Sequence, residues 1–323
     1  MAKGLVWFRT DLRLDDNPAL NAALNKCQEV LAIYIFSHSQ WDAHNESNIK
    51  HEFLINNLIL LKESLEKLGI PLIAINTESY KTLPLDLSSF SSEQKIDHAF
   101  WNNEFGLNEI NRDLASMEAL KKINIESSSF DDQVVYEPGF LKTGQGKPFS
   151  VFTPFKRRWI ENFDMNFLDI KEPLESKKFS PIHSDISALK FVKNNSVNID
   201  LWPAGEDAAR DRLENFLQLK VKSYSESRNS PIIDGTSRIS PYLALGILSP
   251  KRCILEALKL NNFEFTSGNK GICKWIDEIV WREFYRNIMY SFPKVSKNLP
   301  FQDYTSSIQW RHSNEELEAF YAG

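Results

Sequence analysis

The stretch GLVWFRTDLRLDDNPALNAALNKCQEVLAIYIF, residues 4–36, contains two apolar runs separated by a helical segment. The runs Gly4–Phe8 and Glu29–Phe36 are rich in branched and aromatic residues, which is typical of buried β-strands. Between them, Asn17 is a good N-cap residue and Pro18 suits the first position of a helix. This order predicts two parallel strands joined by a crossover helix.

The same alternation continues to about residue 135. We predict further strands at Pro71–Asn76 and Lys95–Asn102, with helices at Ser47–Leu68 and Asn108–Lys122. Alternating strands and helices of this kind fold as an α/β, doubly wound parallel sheet. Such sheets bind ligands beyond the carboxyl ends of their strands.

The second half of the chain has a different pattern. Residues 170–198 are rich in Lys, Ser, Pro and Asn, which is typical of an interdomain linker. After Glu206 the pattern is helical throughout. We predict an α/β domain over residues 1–135, a linker over 136–205 and an all-helical domain over 206–323. The predicted helices of the last part are Glu206–Leu219, Pro241–Leu248, Pro250–Leu260, Gly271–Phe292 and one that follows the capping box Ser313-x-x-Glu316.

Composition and charge exclude several classes of protein. With 42% hydrophobic and 25% charged residues, the chain is not mostly disordered. Its net charge of -5 argues against a purely electrostatic nucleic-acid binder. Residues 1–202 carry 22 Lys and Arg against 28 Asp and Glu, whereas residues 203–323 carry 16 against 15. A site for a polyanion is therefore expected in the second half.

The three cysteines, Cys27, Cys253 and Cys273, are too few and too scattered for a disulfide framework, which favours a reducing compartment. The N-terminus carries charges where a signal peptide would be apolar, and no apolar run is long enough to span a membrane. We predict a soluble cytoplasmic protein with no membrane partner. No GxGxxG motif or P-loop occurs, and we predict no metal site.

Two segments of the second half combine residue types that suit ligands. In Gly235–Pro241, GTSRISP, hydroxyl groups and an arginine precede a helix start, which suits a phosphate; by itself the segment is more typical of an ordinary N-cap. In Trp275–Arg286, positions 275, 278, 281, 282 and 285 fall on one helical face and would present aromatic rings, a carboxylate and an arginine together. Such a face suits stacking on bases or a cofactor ring, although a core helix with an ion pair is also compatible with it. A weaker third signal is the i, i+4 pair of Tyr224 and Arg228.

Four motifs together resemble a known family. Trp7–Asn17 reads WFRTDLRLDDN, Val151–Lys156 reads VFTPFK, Thr236–Gly246 reads TSRISPYLALG and Trp281–Arg286 reads WREFYR. They are similar, in the same order, to motifs of the DNA photolyases and cryptochromes. The greatest similarity is to bacterial cyclobutane pyrimidine dimer photolyases that use a folate antenna.

The resemblance implies light-dependent repair of pyrimidine dimers in DNA by electron transfer from excited reduced flavin adenine dinucleotide (FAD). It implies a methenyltetrahydrofolate antenna, a damaged-DNA partner and a monomer. A deazaflavin antenna is the main alternative for the second chromophore. Alternative functions are a cryptochrome-like blue-light photoreceptor and a nucleotide-binding module without catalysis.

The resemblance also assigns roles to individual residues. The positions that match FAD ligands are Tyr224, Thr236, Ser237, Arg238, Ile239 and Ser240. On the DNA-facing side, Arg228 matches a position that contacts the DNA backbone, Glu278 one that reaches the dimer and Trp281 one that packs against it. Arg282 and Tyr285 lie on the same DNA-facing stretch. Glu278 and Trp310 match the catalytic and electron-transfer positions, Trp310 being the outermost tryptophan of the chain that reduces the flavin. The antenna positions are His44, Asn108, Glu109 and Lys297.

The resemblance stops at Gly323, where the family continues with a segment similar to G-x-T-G-x-P-x-V-D-A-x-M-R. We therefore expect a C-terminally truncated chain, with a natural short form as the alternative. Part of the flavin cavity wall would then be missing, so we expect this chain alone to be inactive.

Overall fold

The computed structural model describes residues 2–172, 174, 176–191 and 201–323. Its sheet has five parallel strands in the order β3-β2-β1-β4-β5. The predicted doubly wound parallel sheet followed by a helical half is confirmed. The strands are β1 (Lys3–Phe8), β2 (Glu29–Phe36), β3 (Leu72–Asn76), β4 (His98–Asn102) and β5 (Glu126–Phe130).

Helices cover both faces of this sheet. Val6 and Phe8 of β1 pack in one hydrophobic cluster, and Leu5 and Trp7 pack in another on the opposite face. The predicted cap at Asn17 is confirmed, because its side chain accepts a hydrogen bond from the amide of Leu20. Ser47 also caps the long third helix, although it was predicted as the first residue of that helix and not as its cap. The helices of this half are α1 (Pro18–Lys26), α2 (His38–Ala43), α3 (Asn48–Lys67), α4 (Leu83–Glu93) and α5 (Leu107–Lys122).

The second half is helical, as predicted. The predicted helix Pro241–Leu248 is shorter than expected, because Gly246 adopts a φ of +64° and the chain turns there. The helices are α6 (Phe152–Glu161), α7 (Glu206–Leu219), α8 (Tyr224–Ser227), α9 (Ser240–Ala244), α10 (Pro250–Leu260), α11 (Lys270–Ser291) and α12 (Asn314–Ala322). None of the helices in the described ranges is long and apolar enough to cross a bilayer.

The first part of the segment 136–205, which was predicted as a linker, contains a helix. Helix α6 lies inside it and buries Phe155 and Trp159 in the main core. The low-complexity part of the predicted linker includes residues 192–200, which lie outside the described residues. The amphipathic spacing of the aromatic residues explains why α6 packs rather than extends.

The segment after β1 joins the two halves. The guanidinium of Arg13 is almost fully buried, pairs with Asp132 and donates to the carbonyl of Gly246 at 2.9 Å. Glu206, at the start of α7, accepts hydrogen bonds from the amides of Leu14 and Asp15 at 2.7 and 3.2 Å. The stretch that resembles the family's first motif therefore fixes the helical half against the sheet.

Candidate functional site

Helix α11 presents a stripe of three side chains, Glu278, Trp281 and Tyr285, which we call the α11 stripe. Their i, i+3 and i+7 spacing places them along one side of the helix. Tyr285 is 58% exposed, and its ring lies 5.6 Å from that of Trp281 at an interplanar angle of 26°. The stripe combines a carboxylate with two flat rings at the protein surface.

Two residues predicted for the same face lie elsewhere, and that part of the prediction is wrong. Trp275 is only 2% exposed, and its indole N–H donates to the hydroxyl of Ser237 at 3.3 Å. The guanidinium of Arg282 donates to the carbonyls of Gln133 and Leu243 at 2.5 and 3.1 Å, and burial lowers its pKa to about 10. Because these groups point into the protein, Arg282 is not placed beside Tyr285 as a DNA contact.

The carboxylate of Glu278 lies between two cations. It pairs with the guanidinium of Arg228, and the ammonium of Lys274 lies 3.6 Å from it. The hydrogen bond to Glu278 raises the pKa of Arg228. The same guanidinium lies 5.5 Å from the ring centroid of Tyr224. The structure thus brings together a predicted flavin ligand, a predicted DNA contact and the predicted dimer contact.

A residue outside the predicted site covers part of the α11 stripe. The ring of Phe152, at the start of α6, lies 3.6 Å from that of Trp281 with an interplanar angle of 9°. Lys156 of the same helix pairs with Asp277 at 2.6 Å. In the sequence, Phe152 is recognised only as part of the VFTPFK motif, within the segment predicted as a linker. Its position one turn from the aromatic Phe155 was the available signal.

The segment Thr236–Ser240 borders a groove of about 530 Å³. Arg238 has a φ of +51°, and its guanidinium pairs with Asp234 at 2.9 Å. Ile239 is buried and Ser240 begins α9, so neither of them lines the groove. Hydroxyl groups and cations together give this groove the donors that a phosphate requires. The groove is lined on its polar side by Thr236, Ser237, Arg238, Arg212 and Lys220, with Asp211 and Asp234.

Tyr224 lies beside this groove but is not part of its lining. It is buried, and its ring packs edge-on against that of Phe216, which does line the groove, at a centroid distance of 5.8 Å and an angle of 88°. Burial raises the pKa of the Tyr224 phenol. Trp310, by contrast, is 74% exposed, and no aromatic ring of the described residues packs against it.

The antenna residues are only partly assembled. The hydroxyl of Ser296 accepts a hydrogen bond from the amide of Leu107, the first residue of α5, at 3.3 Å. Lys297 is the next residue after Ser296, and Asn108 and Glu109 are the next residues after Leu107. Burial, followed by repulsion from Glu104, raises the pKa of Glu109. His44, the fourth predicted antenna residue, is the C-cap of α2, and its ring contacts the side-chain amide of Gln40. No hydrogen bond or ion pair in the described ranges links His44 to the other three.

Sequence analysis missed a buried carboxylate on the inward side of α11, opposite the stripe. Glu283 accepts hydrogen bonds from the amides of Val135 and Tyr136, at 2.8 and 3.1 Å, and from the indole N–H of Trp159 at 2.9 Å. Burial raises its pKa to about 7. Glu283 thereby ties α11 to α6 and to the segment that follows the sheet. Across the described residues, no cluster of three His, Cys, Asp or Glu side chains is arranged to hold a metal ion.

Comparisons with known proteins add independent findings. Residues 4–177 match the family model described as DNA photolyase. The chain is 33% identical over 324 residues to the deoxyribodipyrimidine photo-lyase of Escherichia coli strain K12, covering 100% of this chain and 68% of that enzyme. A solved class III photolyase from Agrobacterium tumefaciens superposes with a TM-score of 0.85 at 28% identity, covering 99% of this chain and 65% of that one. A Synechocystis cryptochrome shares the fold, with a TM-score of 0.76 at 21% identity and coverages of 98% and 67%. The chain thus spans about two thirds of the length of these proteins.

Proposed function

The chain belongs to the DNA photolyase family, and from this premise we propose that it takes part in light-dependent repair of cyclobutane pyrimidine dimers in DNA, with FAD as its cofactor. The relatives named deoxyribodipyrimidine photo-lyase support the enzyme class. The observation that carries the dimer specificity is the α11 stripe, where a half-buried indole lies one helical turn from a carboxylate. We propose residues 1–135 as the antenna domain and 206–323 as part of the flavin domain.

Recognition of the lesion would use the rings of the stripe. A dimer is poorly stacked in the duplex, so extruding it costs less than extruding an intact base pair. Trp281 and Tyr285 offer a flat apolar surface that replaces the lost stacking. We therefore assign to Trp281 the role of packing against the extruded dimer, with Tyr285 beside it.

Binding of DNA would break the ion pair between Arg228 and Glu278. In the free protein the two side chains neutralise each other. A DNA phosphate competes for the guanidinium, because charge-assisted bonds to phosphate are strong and can be bidentate. Glu278 is then free to bond to the dimer, while Lys274, 3.6 Å away, keeps an N–H donor beside it. A dimer at this place would meet both an acceptor and a donor.

The groove at Thr236–Arg238 fits the phosphate part of FAD. Its hydroxyl groups donate, and Arg212, Lys220 and Arg238 outnumber the two carboxylates that line it. When bound, reduced FAD supplies the light-excited electron that splits the cyclobutane ring. Trp310 is exposed, as an outermost electron relay would be, and we propose that role for it.

The folate antenna is a separate proposal. Asn108 and Glu109 follow Leu107 in α5, and Lys297 follows Ser296, which accepts a hydrogen bond from Leu107. The three side chains combine an amide, a carboxyl and an ammonium group. These groups suit the ring and the acidic tail of a folate. His44 would need to approach them when the ligand binds. An absorption spectrum of the native protein separates folate from deazaflavin.

Damaged DNA is the proposed partner of a monomeric protein. We also propose a cytoplasmic location, which is supported by the three cysteines, all unpaired in the structure. The described helices give no membrane-spanning candidate.

The test is repair of a defined lesion. The complete gene product, supplied with reduced FAD, is mixed with an oligonucleotide that contains one thymine dimer and is illuminated with blue light; residues 1–323 alone are expected to restore no thymines. The proposal is supported if thymines are restored in the light and not in the dark. Restoration should be reduced in Trp281→Ala and unchanged in the surface variant Tyr304→Ala. Flavin binding and light absorption without restored thymines, even with excess protein, would contradict it and would favour a photoreceptor.

A further inference from the structure

The ring pair of Phe152 and Trp281 has an unusual geometry. Aromatic rings prefer offset or edge-to-face arrangements to a direct face-to-face stack. These two rings are nearly parallel, at 9°, and their centroids are only 3.6 Å apart, so they lie almost directly over each other. Surrounding contacts must hold the pair in this arrangement.

Helix α6 supplies those contacts. The Phe152 ring meets Phe284 edge-on at 5.8 Å and 72°, and Phe155, one turn further, meets the same Phe284 ring at 5.3 Å. Beyond the rings, α6 is anchored to α11 by the ion pair of Lys156 with Asp277 at 2.6 Å. Phe152 is thus fixed by its own packing and by the attachment of its helix.

We propose that Phe152 is a positioning residue for lesion recognition: it holds the indole of Trp281 in one orientation and leaves only the uncovered part of that ring for an extruded pyrimidine. The inference rests on the proposed function, because it assigns the uncovered indole surface to the lesion. Rotation of the Trp281 side chain would break the stack with Phe152 and the contact with Tyr285. The ordering of this side chain is therefore completed before DNA binds, which improves affinity.

A leucine at position 152 keeps the apolar volume but loses the flat face. We expect Phe152→Leu, in the full chain, to bind an oligonucleotide with one thymine dimer about three- to tenfold more weakly, the range that corresponds to immobilising one side chain. Binding to the undamaged oligonucleotide should not change. In a Trp281→Ala background, Phe152→Leu should have no further effect, because its action passes through the indole.

The matched control is Phe149→Leu. Phe149 is also half-buried and packs on Phe155 at 6.0 Å, but it does not contact Trp281. The substitution Phe149→Leu should leave the affinity for the dimer-containing oligonucleotide unchanged. The proposal is overturned if Phe152→Leu has no effect, weakens binding to undamaged DNA equally, or weakens binding as much when Trp281 is absent.

A second readout needs no lesion. Acrylamide quenching of the Trp281 fluorescence, obtained as the difference between each protein and its Trp281→Phe counterpart, should increase in Phe152→Leu and not in Phe149→Leu. If the parent protein does not distinguish damaged from undamaged DNA, the proposed function fails, and quenching alone then decides whether Phe152 orients the indole. Unchanged quenching would overturn that role.

Discussion

Replacing Glu283 by alanine should destabilise the protein more than any change on the α11 stripe. The carboxylate is fully enclosed and accepts three hydrogen bonds, from the amides of Val135 and Tyr136 and from the indole of Trp159. Alanine leaves these three donors without an acceptor and leaves a void beside them. Each buried donor without a partner costs about 1–3 kcal/mol.

The expected loss of stability is smaller than the summed cost of three unpaired donors, because water can enter the void and accept hydrogen bonds from some of them. We expect the free energy of unfolding to fall by about 3–5 kcal/mol at pH 5. That is a large fraction of the stability of an ordinary domain.

The loss should also depend on pH. Burial raises the pKa of Glu283 from 4.5 to about 7, so the folded protein binds this proton more tightly than the unfolded chain. The stabilisation from this group is fully present below pH 4.5 and is lost as the pH rises through 7, by on the order of 3 kcal/mol. Alanine removes the group, so the gap between the parent and the variant should be wider at pH 5 than at pH 8.

Urea unfolding followed by tryptophan fluorescence and circular dichroism measures both effects, with the midpoint and slope recorded at pH 5 and pH 8. Glu118→Ala, on the exposed side of α5, is the control and should change the stability by less than about 0.5 kcal/mol. Equal midpoints for the parent and Glu283→Ala would refute the argument. A gap that widens from pH 5 to pH 8 would refute the sign of the titration.

Three other substitutions test separate parts of the molecule. Gly246→Ala should lower the free energy of unfolding, measured by urea, by several kcal/mol. The φ of +64° strains an alanine, and the added methyl group would overlap the backbone that follows β1. Asp132→Ala should lower the free energy of unfolding by about 3–5 kcal/mol in the same assay, because the buried guanidinium of Arg13 loses the carboxylate that pairs with it; a loss no larger than that of an exposed ion pair would contradict this. Trp281→Ala should weaken binding to dimer-containing DNA by about 1–3 kcal/mol with little change in flavin content, measured by gel shift and absorbance; unchanged discrimination against undamaged DNA would count against the site.

Local signals explain which elements were predictable. The strand β2 matches its predicted bounds because an apolar run of seven residues after Glu29 has few alternatives inside a domain. Helix α3 lies within one residue of its predicted bounds at each end, because Ser47 caps its start and Gly69, with a φ of +77°, follows its C-cap. Strand β5, by contrast, reads ESSSF and was missed. It is an edge strand with half-exposed residues, so it does not need the apolar composition that identifies a strand.

The candidate site was predictable only in part, for a geometric reason. Periodicity along α11 places Trp281, Arg282 and Tyr285 within one broad face, but it does not say which neighbours pack against each part of that face. The contact of Arg282 with two backbone carbonyls depends on where the sheet and α9 lie, and the sequence pattern contains no such information. Phe152 was missed for the same reason, since its partner is more than a hundred residues away.

Contacts with α6 join the buried side of α11, which carries Glu283, to the side that carries Trp281. Glu283 is held by three donors from outside its helix, and it lies two residues after Trp281. Phe152 and Trp159 belong to the same helix α6, so the bond from Trp159 to Glu283 and the stack of Phe152 on Trp281 fix one helix against the other at two points. A shift of α6 along α11 would therefore break the hydrogen bond from Trp159 to Glu283 and move the half-buried indole of Trp281 at the same time. Because a displacement of about 1 Å can cost a positioned group most of its effect, the buried carboxylate contributes to the geometry of the surface on which a lesion would bind.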